Sequence, residues 1–160
     1  MKDPIIVARS LSNIIITVPA GNNEELLQNV KNNVIEIYGA GKVIERNELP
    51  YFYPNFINAI NLKEDFENED SIQNSIIYDV NKAKEILKDM WREVRLPLLQ
   101  ALDTEYIIAL EKNDTNKLEE VAFKKQQLRD VTDLEIPNDF NEIQNFWPEF
   151  LGPHPYKINS

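Results

Sequence analysis

No cysteine occurs among the 160 residues. Disulfides, thiolate metal sites and cysteine nucleophiles are therefore excluded. There is one histidine, His154, set between Pro153 and Pro155 near the C-terminus. No sequence neighbour orients it as a base, so it reads as a surface residue. Glycine is scarce, four in all, and the one Gly-rich stretch, Gly39-Ala40-Gly41, lacks the spacing of a phosphate loop and reads as a turn. Long apolar runs are missing too. None approaches the ~20 residues of a membrane span, and no charged-then-apolar signal segment opens the chain. The expected setting is a cytoplasm, with no membrane partner. Positive charge is outnumbered, with 17 Lys and Arg against 27 Asp and Glu. The resulting net charge of −10 repels phosphate and argues against nucleic-acid binding. Its ordinary role is solubility.

What is present suits a globular chain. Hydrophobic residues make up 42% and charged residues 28%, and a chain of this length buries roughly two-thirds of its unfolded surface without a covalent staple. The first part has β-branched runs, Ile5-Ile6-Val7 and Ile14-Ile15-Ile16-Thr17-Val18, joined by Arg9-Ser10-Leu11-Ser12-Asn13. They predict a β-hairpin. Asn22 or Asn23 then caps a short helix, with Glu24 and Glu25 in its first turn and Leu26, Leu27, Val30 and Val34 on one face. Lys42–Arg46 predicts a third strand. Pro50 and Pro54 bracket Tyr51-Phe52-Tyr53, whose alternate side chains would face opposite ways on a strand, leaving part of the cluster exposed. Phe56–Leu62 predicts a further extended piece. Residues 63–74 concentrate acid with no apolar period and read as a mobile, solvated linker. Ser75-Ile76-Ile77-Tyr78 reads as a returning strand.

The second part is helical. Val80, Ala83, Leu87, Met90 and Val94 follow 3-4-3-4 spacing and make a seam for another helix. Asp79 is placed to cap its start. The seam resumes beyond Pro97 at Leu99, Leu102, Tyr106 and Ala109. Pro97 cannot donate to the Glu93 carbonyl, so a kink or a division into two helices is expected there. After the polar break Asn113-Asp114-Thr115, with Asp114 or Thr115 as cap, a second stripe follows at Leu118, Val121 and Leu128, with Lys125 awkwardly among them. Val131-Thr132 is a fray point, Pro137 bars continuation, and a last short helix spans Asp139–Phe146 ahead of Trp147-Pro148. The expected class is α+β, a small strand-rich N-terminal head followed by a long helical hairpin arm. The expected division is 1–78 for the head, 79–150 for the arm and 151–160 for an irregular tail.

Nothing in this pattern calls for an active site. The acidic run lacks the Gly and the alternate oxygen ligands of a calcium loop, so no metal is expected. Asp103 and Glu105 lie close together, but adjacent acids on a helix are far commoner than catalytic pairs. Trp147-Pro148 either docks on the core and stops the last helix or anchors a partner, since Trp is enriched in interface hot spots. Arg92 and Arg95 share a face beside the seam. Arg129 brings a forked donor to the neighbouring helix, with Asp103 as candidate acid. That pair either ties the hairpin, worth ~0–1 kcal/mol if exposed, or serves a partner.

Three pieces in order, Arg92-x-x-Arg95-x-x-Leu98-Leu99-x-x-x-Asp103, Gln127-Leu128-Arg129-Asp130-Val131-Thr132 and Trp147-Pro148, resemble the C-terminal region of the tail assembly chaperone (tail-fibre assembly) family of tailed bacteriophages. The resemblance covers roughly residues 82–150. It departs from the family at Pro97, where a polar residue is usual. It implies a non-enzymatic phage tail protein without cofactor, which binds a tail-fibre or other tail subunit as assembly chaperone or virion-associated accessory. It places the protein in the host cytoplasm during assembly, or in the virion tail. The alternative is a permanent structural subunit of the virion, such as a tail adaptor or decoration protein. Arg92, Arg95, Leu99, Tyr106, Arg129 and Trp147 are the expected partner-binding residues, and a homo-oligomer is left open.

Overall fold

The structure, a computed structural model, describes residues 3–21 and 23–157 of the chain. Contacts group the chain into two compact units, Met1–Ala83 and Lys84–Ser160.

In the first unit the expected hairpin forms, with β1 (Pro4–Arg9) antiparallel to β2 (Ile14–Thr17). The Ser10 hydroxyl donates to the Asn13 carbonyl at 2.9 Å and closes the turn. β3 (Lys42–Glu45) pairs with the other side of β1, giving the order β2-β1-β3. A central strand needs apolar residues on both faces. In β1, Ile5, Ile6, Val7 and Ala8 are all fully buried. Ile6 and Ala8 pack with Val34, Leu27 and Val30 of α1 (Glu24–Tyr38). Asn23 caps α1 by accepting from the Glu25 amide at 2.8 Å; Asn22 lies outside the described residues. Leu26, expected on the buried face of α1, is instead exposed, one position off the Val34 stripe. α1 ends at Gly39, whose φ of 83° is open to glycine at little steric cost. Gly41 is needed for another reason: a Cβ there would lie 3.1 Å from Val34 Cγ1, in the gap between helix and strand.

Residues 54–78 depart from expectation in two places. Pro54–Ala59 is a 3₁₀ turn rather than a strand, and only Ile60–Leu62 (β4) is extended, pairing with β5 (Ile76–Tyr78). Part of the Tyr51-Phe52-Tyr53 cluster is exposed as expected, but the split differs: Tyr51 is exposed and Tyr53 buried, although both would share a face on a strand, because no strand forms there. The acidic segment 63–74 is not a solvated linker. It forms two 3₁₀ turns that bury Phe66 and Ile72, each 1% exposed. The acids serve as acceptors and ion pairs at its surface. Glu67 Oε1 accepts from the Gly41 amide at 3.1 Å, the Glu69 carbonyl accepts from the Lys42 ammonium, and Glu64 pairs with Arg9 at 3.7 Å. Two apolar anchors six residues apart suffice to tie the segment down, though they make no periodic pattern.

α2 (Val80–Glu111) runs through Pro97 as one helix of 32 residues, so the chain is not divided there. Asp79 accepts from the Lys82 amide at 2.9 Å, as its position predicts. In the second unit, α3 (Thr115–Asp130) returns after a turn in which Asn113 takes a φ of 54°. Asp114, not Thr115, is the cap, accepting from the Lys117 amide at 3.0 Å. Val131–Asp133 tightens to a 3₁₀ turn, and α4 (Phe140–Asn145) is capped by Asp139. Residues 152–157 have no regular element, and 158–160 lie outside the described residues.

If segment 63–74 is folded core rather than linker, Phe66→Ala should cost about 3–5 kcal/mol of stability. Glu64→Ala in the same segment, whose side chain is 87% exposed, should change it by less than about 0.5 kcal/mol. Urea unfolding followed by circular dichroism measures both.

Candidate partner-binding surface

The arm is built on the seam of α2. Leu87 and Met90 are buried in it as expected, with Ala109 near its far end. Trp91 is also fully buried, 5.8 Å from the Phe146 ring. It lies one position off the 3-4 pattern, so its burial depends on the segment after α4 rather than on the helix pair. From α3, Val121 and Leu128 are buried. Lys125, the misfit in that stripe, is a tie between helices: its ammonium pairs with Asp103 and lies 5.2 Å from the centre of the Tyr106 ring. Its side chain is 15% exposed, so the stem is packed while the charge is satisfied. Lys117 adds a second tie, to Glu105 at 3.4 Å. Hydrogen bonds from Lys124 and then Lys117 hold the Glu120 carboxyl below its ordinary range. The Lys117 ammonium is raised by Glu120 first and Glu105 second.

The expected partner-binding residues fare unequally. Arg95 reaches the end of α3, donating to the Arg129 carbonyl at 2.9 Å and the Leu128 carbonyl at 3.4 Å. A cation on the last free carbonyls is favoured by hydrogen bonding and by the helix dipole. Arg129 does not pair with Asp103, because Lys125, one turn earlier on α3, takes that carboxylate. Arg92 is exposed and pairs with Asp89 in its own helix. Tyr106 is half-buried beneath Lys125, and Leu99 is half-buried. Trp147 is half-buried, and its indole N–H donates to the Gly152 carbonyl at 3.0 Å. Arg95, Tyr106 and Trp147 thus have structural work within the unit, while Arg92 and Arg129 stay at its surface.

The apolar surface left open lies elsewhere. Leu98, Leu102, Leu128 and Phe150 line a cleft of about 330 Å³ whose rim also carries Glu105 and Lys124. Phe123, Leu134 and Phe150 line an adjoining one of about 280 Å³, and Gln127 belongs to both. Phe123 is 65% exposed and Phe150 37%. On α2, Leu96, Ile107, Ile108 and Leu110 are also exposed. Of the residues lining these clefts, Leu98, Leu102, Gln127 and Leu128 are signalled by sequence, through the seam, the second stripe and the family pattern, whereas Phe123, Leu134 and Phe150 are not. Phe123 falls between stripe positions on a largely polar helix, and Phe150 follows Pro148 where no period exists. A larger cleft of about 760 Å³ in the first unit is rimmed by Glu24 and Glu25 of α1. Those acids suit the helix N-terminus and need no ligand. Among the described residues no group of three or more His, Asp or Glu is placed to hold a metal ion, and no helix is long and apolar enough to cross a membrane.

His154, expected at the surface, is 7% exposed. Its Nε2 lies 3.0 Å from the Gln144 carbonyl, its Nδ1 accepts from the Tyr156 amide at 3.1 Å, and its ring meets Trp147 edge-on at 5.1 Å. Its partners are set by the fold-back of residues 144–156, which no local pattern announces.

Replacing Arg95 with Met should destabilise the arm by about 1–2 kcal/mol, through carbonyls that lose a charged donor. Arg92→Met, at an exposed pair, should cost less than about 0.5 kcal/mol. Thermal unfolding of the two variants beside wild type reads the difference. Compared with protein-family models, with curated proteins and with solved structures, the chain matches none.

Proposed function

We propose that this chain is a non-enzymatic partner-binding protein, whose arm covers apolar surface on another protein. The observation that carries this reading is the pair of adjoining clefts around Phe150, with Phe123 and Leu134 exposed beside them. Apolar side chains grouped around concave surface favour burial of a partner's apolar groups. Aromatic residues are frequent anchors in such interfaces.

The resemblance over residues 82–150 supplies the class of partner, a tail-fibre or other tail subunit of a tailed bacteriophage. A folding fibre chain exposes strand edges and apolar faces before it docks, and these associate wrongly when left open. Covering them until assembly is the chaperone's part. Arg92 and Arg129, at the surface of the same unit, can add charged rim contacts around an apolar centre.

Co-expression with the tail-fibre subunit of the same phage tests the reading. A complex, or more soluble fibre, is expected. Phe123→Glu should reduce recovery of the complex at least tenfold, while helical circular dichroism stays as in wild type, because the side chain is largely in solvent. Neither a complex nor a gain in soluble fibre would overturn the chaperone reading. Abundant protein at fixed copy number in purified virions would replace it with a permanent structural subunit.

A further inference from the structure

Hydrogen bonds to the Trp147 and His154 side chains help close the C-terminal fold-back. Trp147 Nε1 donates to the Gly152 carbonyl, His154 Nε2 lies against the Gln144 carbonyl, and the Tyr156 amide donates to His154 Nδ1. Phe150, which lines both clefts of the arm, lies within this loop. The two contacts of the histidine ring require one tautomer. Nε2 must carry a proton to meet a carbonyl, and Nδ1 must be bare to accept from an amide. That is the neutral ring. Protonation puts a second N–H on Nδ1, facing the Tyr156 N–H across 3.1 Å. Two donors cannot bond, and the buried cation loses solvation as well.

We propose that His154 is a pH-operated latch: the neutral ring holds residues 146–156 closed, and protonation releases the segment that carries Phe150, remodelling the clefts on the arm. The latch acts on Phe150 whatever occupies those clefts.

The groups around the ring divide in direction, and burial dominates. From α4 it faces the neutral Gln144 carbonyl, and from the fold-back the rings of Trp147 and Tyr156, at 5.1 and 6.2 Å. Among the described residues, Lys157, on the same segment, is a charge that acts on it. Burial, as the largest cause, lowers its pKa from the ordinary 6.5. The Gln144 carbonyl opposes this and Lys157 adds to it. The folded state therefore takes up the proton at lower pH than the unfolded chain. The stability of the closed latch is complete above pH 6.5 and is lost as pH falls below it, until the folded-state value is passed.

A chain with one histidine gives an unambiguous titration. NMR of the full chain between pH 8 and 4.5 should show the His154 ring titrating below 6.5. Over the same interval, exchange protection of the Tyr156 amide and the Trp147 indole, corrected for intrinsic rate, should fall at least tenfold. The backbone amides of buried Leu87 and Trp91, inside α2, should keep their protection and so report that the unit stays folded. His154→Gln keeps a donor for the Gln144 carbonyl but cannot titrate, and its protection should be flat across the range. A ring that titrates at or above 6.5 would overturn the latch. So would unchanged protection through the titration, or the same acid loss in His154→Gln. If that variant does not fold, the wild-type titration and protection data decide alone.

Discussion

A helix of 32 residues with apolar side chains on more than one face cannot be covered by one partner helix of 16. That mismatch is the constraint from which the rest of the arm follows. α3 closes one side of the seam, where Val121 and Leu128 are buried. The segment after α4 brings Phe146 onto Trp91. Leu96, Ile107, Ile108 and Leu110 remain outside both. The packing of helices by side-chain rows allows each neighbour only one stripe, and the surplus of apolar surface is what a binding partner would cover.

Polar ties decide where the open surface falls. Arg95 at the end of α3, Lys125 on Asp103 and Lys117 on Glu105 fix the register of α3 against α2. Each is individually modest. Together they join apolar and charged side chains along the same helix pair, leaving Leu98, Leu102 and Phe150 around a gap rather than in a closed core. The C-terminal fold-back completes one wall of that gap. A histidine buried in its neutral form is thus placed to govern a wall that carries Phe150.

Much of this was legible because it is local. Strand runs, the caps Asn23, Asp79 and Asp114, and the seam of α2 depend on neighbours within a turn or two. Phe66 and Ile72 were not legible as core, because two apolar residues amid acids carry no period, and their burial comes from contacts made across the unit. The Arg129–Asp103 pairing failed on a choice among cations that share a helix face, where one turn of displacement selects Lys125. Pro97 forbids a single hydrogen bond, and the packing of a long helix outweighs that loss. Of the proposed partner surface, the exposed aromatic residues were the least visible in the sequence. Phe123 and Phe150 sit off every stripe, and exposure of an aromatic is a property of the assembled unit.

Hydrogen–deuterium exchange of the chain, alone and in complex with the tail-fibre subunit, tests the central claim most directly. The account predicts that binding slows exchange in residues 96–110, 123–134 and 149–151. Protection confined to residues 1–83, with those three stretches unchanged, would contradict it.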